Sequence, residues 1–81
     1  MISFSIRFWG SETLISRLEG LVVKIAWLGI TQKIECVFNL DNDLILCLKL
    51  KDEITEKDLE DLEDVFTDYG HYIRNIEKVI E

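Results

Sequence analysis

Apolar side chains fall on every second residue from Ile34 to Leu40 and again from Leu44 to Leu50, and Asp41-Asn42-Asp43 stands between the two runs. A period of two marks a strand with one buried face, and Asp-Asn-Asp is turn chemistry. Two such runs make a hairpin, which needs further strands or a helix on its apolar face to be stable in water. A three-residue loop at 41–43 sets the register. It puts Leu40 opposite Leu44, Phe38 opposite Leu46, Cys36 opposite Leu48 and Ile34 opposite Leu50, with Glu35 opposite Lys49 on the other face.

The same logic extends upstream. If Gly29-Ile30 is a two-residue turn with glycine in the positive-φ position, Ile25 faces Ile34, Val23 faces Cys36, Leu21 faces Phe38, and Lys24 faces Glu35. Every large apolar group then shares one face, and Lys24, Glu35 and Lys49 form a ladder on the other. Strands are therefore expected at about 21–28, 31–40 and 44–51. A fourth, at 2–9, follows from the alternation of Ile2, Phe4, Ile6 and Phe8 with Ser3, Ser5 and Arg7. Gly10 ends it. Ser11 suits a helix N-cap, Leu14, Ile15 and Leu18 share a helical face, and Gly20 stands at a C-terminal stop. Residues 21–28 also keep helical spacing through Leu21, Val22, Ile25 and Ala26, so one longer helix is the competing reading.

Beyond Thr55, Leu59, Leu62, Phe66, Tyr69, Ile73, Ile76 and Ile80 follow a three-four repeat, a helical seam widened by Val65, Tyr72 and Val79. Thr55 and Asp58 give a capping signal. An unbroken helix over 55–81 runs ~40 Å, against a radius of gyration of ~12 Å for a chain of this size. Gly70 must bend it, or its end must project. A strand at 72–80 is the rival, but that segment does not alternate. The expectation is one α+β domain over 1–81, in two layers ordered β-α-β-β-β-α. Its antiparallel meander sheet is covered on one face by a short helix and a long C-terminal one. A ferredoxin-like β-α-β-β-α-β order is the alternative. The helix, three-stranded meander and helix resemble the double-stranded-RNA-binding domain. That resemblance implies a basic start to the last helix, where this chain reads Thr55-Glu56-Lys57-Asp58-Leu59-Glu60-Asp61, the opposite charge.

Charge points to function more than any motif does. Residues 52–68 hold nine acids and one base, Lys57, while the whole chain carries −7. An acidic helix start disfavours nucleic acid and suits a protein partner with a basic surface. Glu56, Glu60, Asp61, Glu63, Asp64 and Asp68 are the candidate contacts. The expected role is a small acidic binding module of the inhibitor, immunity or antitoxin type. The alternative is a homo-oligomeric structural or accessory protein. Its homodimer interface is expected at Val22, Leu28, Val37 and Ile45 on an outer sheet face, or at Ile73, Ile76 and Ile80 on the last helix.

No catalytic constellation, metal site or cofactor motif is visible, so an enzyme is not expected. His71 is the sole histidine and has no placed partner. Cys36 and Cys47 have opposite parity, which puts Cys36 in the core and Cys47 outside among Lys49 and Lys51. Two cysteines without an export signal suggest reduced thiols in a cytoplasm. No apolar run approaches the ~20 residues of a membrane span.

Overall fold

A computed structural model describes residues 1–9, 15–41 and 43–80, with the side chains of 15–17 left aside. The helix N-cap expected at Ser11 lies outside the described residues. The order is β1 (Ile2–Phe8), α1 (Ile15–Trp27), β2 (Thr31–Phe38), β3 (Leu44–Leu50), α2 (Glu56–Asp68) and β4 (Ile73–Ile80). The four strands form one antiparallel sheet ordered β2-β3-β1-β4. Both helices pack on the face that carries Phe4, Ile6, Phe8, Leu44, Leu46, Leu48 and Leu50. Leu18, Leu21, Ile25, Leu62 and Phe66 close the core from above, with Phe66 edge-on to Phe4 at 5.6 Å between ring centres.

The strand expected at 21–28 is the second half of α1. Leu18, Leu21 and Ile25 repeat at helical spacing, and all three are buried, so one helical stripe satisfies what a strand would bury on alternate residues. Gly20 does not stop this helix. A Cβ there would sit 3.0 Å from the Tyr69 hydroxyl, so the glycine lets α1 lie close to the end of α2. The stop comes at Gly29, whose φ is 68°. Leu28 and Gly29 N–H donate to Ile25 and Ala26 carbonyls at 3.2 and 3.1 Å. Gly29 thus has the positive φ expected of it, but as a helix end rather than a hairpin turn. The pairs proposed between 21–25 and 34–38 fall with that hairpin.

The 31–50 hairpin is present with its register moved by two. Phe38 faces Leu44, Cys36 faces Leu46 and Ile34 faces Leu48. The loop is longer than three residues because Asn39 organises it. Asn39 N–H donates to the Asp43 carbonyl at 3.1 Å, and its side-chain oxygen accepts from the N–H of Asp41 and Asp43, both at 2.9 Å. Leu40 is thereby turned fully to solvent. A shift of two preserves every face. The charge ladder is lost, since Glu35 now faces Cys47 and Lys33 faces Lys49. Glu35 pairs instead with Lys33 on its own strand at 2.8 Å.

The long helix expected over 55–81 ends at Asp68. Thr55 Oγ1 accepts from Asp58 N–H at 3.2 Å, and Thr55 N–H donates to the Asp58 carboxylate at 2.9 Å, a complete capping box. Tyr69 caps the other end. After the turn at 69–72 the chain becomes β4 on the free side of β1. Ile73 faces Phe8, Ile76 faces Ile6 and Ile80 faces Ile2, with the register shifting between Arg7 and Phe8. That bulge places Ile73 and Ile76, three residues apart, on one face of a strand. It is why the segment reads as helix in sequence. The radius of gyration is 12.1 Å.

Candidate interaction surfaces

Three surfaces stand out. The first is the outward face of α2. Leu62 and Phe66 turn inward, Leu59 and Val65 are half-buried, and Glu56, Glu60, Glu63, Asp64 and Asp68 are exposed. The helix therefore brings these five expected contact residues onto one solvent-facing surface. Asp61 is half-buried and takes an ion pair from Lys57 at 3.4 Å. Asp58 is drawn back into the cap.

The second is the sheet face away from the helices. Ser3, Ser5, Arg7, Lys33, Glu35, Val37, Ile45, Cys47, Lys49, Glu77 and Val79 lie on it, as their cross-strand pairing requires. Of the expected interface residues only Val37 and Ile45 are there, facing one another. Val22 is half-buried on α1 and Leu28 half-buried in the turn after it. Ile73, Ile76 and Ile80 lie on β4 on the helix side, Ile73 half-buried and the other two exposed.

One end of this face carries a charge cluster that single residues in the sequence do not announce. The Arg7 guanidinium donates twice to the Asp43 carboxylate, at 3.0 and 2.8 Å, and once to Asp41 at 3.3 Å. Arg74 reaches the same Asp43 oxygen at 3.4 Å and lies 4.7 Å from the centre of the Trp9 ring. The acids come from the hairpin loop and the bases from β1 and β4, so only the β3-β1-β4 order brings them together. The cluster holds the hairpin loop against the sheet, with its bases and acids balanced.

The third is an apolar groove of about 530 Å³ beside β2, lined by Leu18, Glu19, Val22, Val23, Cys36, Phe38 and Leu44. Val23 is 52% exposed, Phe38 51% and Trp27, one turn beyond Val23, 84%. Here the expected core residues Cys36 and Phe38 are corrected. They point to the helix side, as their parity demands, but on an edge strand that the helices leave uncovered. Cys36 is exposed and Cys47, on the central β3, is half-buried, the reverse of the expected order. Partial burial of the Cys36 thiol, then the nearby Cys47, push its pKa up. The Lys33 ammonium is also pushed up, by its hydrogen bond to Glu35 and then by the charge of that carboxylate.

Among the described residues no three metal-ligating side chains converge. His71 is exposed, its ring 6.4 Å from that of Tyr72. No helix among the described residues is long and apolar enough to cross a membrane.

Solved structures with this fold include two from one organism. Rv0793 from Mycobacterium tuberculosis superposes with a TM-score of 0.60 at 12% identity, over 99% of this chain and 93% of that one. The C-terminal domain of the MgtC protein from the same organism superposes with a TM-score of 0.56 at 12% identity, over 98% of this chain and 86% of that one. At such identity the likeness is one of α+β architecture, a four-stranded antiparallel sheet with two helices. No family model matches the chain, and no curated protein matches it.

Proposed function

We propose that the protein is a small acidic binding module that uses α2 to mask a basic surface of another protein, in the manner of an inhibitor, immunity or antitoxin protein. One observation carries this reading: Glu56, Glu60, Glu63, Asp64 and Asp68 share the exposed surface of a capped helix in a segment whose sole base is Lys57. Carboxylates at i and i+4 repel one another, and a rigid row of them speeds association with a basic partner. The module acts without chemistry of its own, in the cytoplasm.

The test is a double charge reversal, Glu60→Lys with Asp64→Lys. Both residues are exposed, and each reversal adds two positive charges, moving −7 to −3. Wild type and variant, tagged and expressed in the native host, are used as parallel baits, and the captured proteins are identified by mass spectrometry. The wild type should retain a basic partner that the variant loses. With that partner purified, the association rate should fall steeply with added salt. Equal capture by both baits would reduce the acidic helix to a solvated surface.

A further inference from the structure

The outer edge of β2 is open: β3 lies on one side and, among the described residues, no strand lies on the other. The ladder decides what this edge presents. Asn39 bonds to Asp43 across the hairpin, so the odd-numbered residues of β2 bond to β3, and the backbone groups of Ile34, Cys36 and Phe38 point away from the sheet. Exposed Val23 and Phe38 line the groove along that edge. An unpaired edge beside apolar side chains is what monomers ordinarily cover or charge.

We propose that β2 pairs antiparallel with β2 of a second copy of this chain, about a two-fold axis at Ile34, joining two four-stranded sheets into one. Charge selects both the occupant and the register. With the axis at Ile34, Lys33 stands opposite the partner's Glu35, and Glu35 opposite the partner's Lys33. These are the closely spaced, non-hydrogen-bonded positions, where opposite charges stabilise a pair of strands. The ion pair now made within the strand, Lys33 to Glu35 at 2.8 Å, is then shared across the junction. An axis at Glu35 would set two glutamates face to face.

The other outer strand among the described residues, β4, fails the same test. An axis at Ile76 sets Arg74 against the partner's Lys78, and axes at Glu77 or Lys78 set each of those residues against its own copy. Meanwhile α2 packs over Phe4 and lines a groove with Ile73 and Ile76, on the β1-β4 side of the sheet. Its acidic face therefore stays clear of the junction, and this proposal stands or falls independently of the function proposed for α2.

Sedimentation velocity across micromolar to millimolar concentrations tests it, with circular dichroism to confirm that each variant folds. The wild type should dimerise. Lys33→Glu alone and Glu35→Lys alone should each weaken the dimer about ten-fold or more, because both reciprocal pairs become like-charged. Mixed in equal amounts, the two variants should form a heterodimer, since every pair is again opposite in sign. Cys36→Pro, which removes an outward N–H without breaking a bond to β3, should also abolish the dimer. A wild type that stays monomeric overturns the proposal, including the case where β2 binds only an extended segment of another protein. So do single variants that dimerise as the wild type does, or a mixture that fails to recover.

Discussion

Cys36 and Phe38 separate two properties that sequence patterns tend to merge, the face a side chain points to and whether anything covers it. Both lie on the helix side of β2, and both are exposed. In dilute solution a thiol reagent should modify Cys36 before the half-buried Cys47. The raised pKa gives a pH signature. A thiol is unreactive while protonated, so the Cys36 rate should go on rising with pH after an ordinary exposed thiol has levelled off. A plateau at or below the ordinary range would contradict this. Phe38→Ala removes a ring already half in water and should cost about 1 kcal/mol. Leu62→Ala, fully buried, should cost about 2–5 kcal/mol. Urea midpoints separate the two.

Among the elements, legibility follows how regular each pattern is. The strands at 2–8, 31–38 and 44–50 alternate cleanly and were readable, faces included, because a register error of two leaves faces unchanged. The acidic helix was readable from its cap and seam. Two elements are not legible from pattern alone. Residues 21–27 satisfy both periods at once, and only burial of Leu18, Leu21 and Ile25 together decides for helix. The strand at 73–80 hides behind its bulge, and a bulge is set by its neighbour β1, from the far end of the chain. Of the surfaces, the acidic one was legible as local composition, whereas the Arg7-Asp43-Arg74 cluster and the open β2 edge depend on strand order. Two substitutions probe the element ends. Gly29→Ala meets no atom within 4 Å, so its cost is conformational alone, about 1–2 kcal/mol for a positive φ. Thr55→Ala should cost about 1 kcal/mol through the lost cap. Thermal unfolding measures both.

For the molecule as a whole, charge is unevenly spread. The segment 52–68 is more negative than the entire chain, and the Lys57–Asp61 pair is largely solvent-exposed, so it adds little. Salt should therefore stabilise the fold. Raising ionic strength from about 10 mM to 100 mM shortens the screening length from about 30 Å to 10 Å, and the thermal midpoint should rise. A fall would mean that the Arg7-Asp43-Arg74 cluster outweighs repulsion along α2.

The place of β4 also bears on how the chain is born. Strand β1 is an inner one, flanked by β3 and by β4, with Ile2 set against Ile80. A growing chain emerges from its N-terminal end. It can assemble β1, β2 and β3, but one side of β1 stays open until residues 73–80 have been made. Synthesis that stalls before residue 73 should leave a nascent sheet with a sticky inner strand, a substrate for chaperones rather than a folded protein. Folding is thus tied to the synthesis of β4.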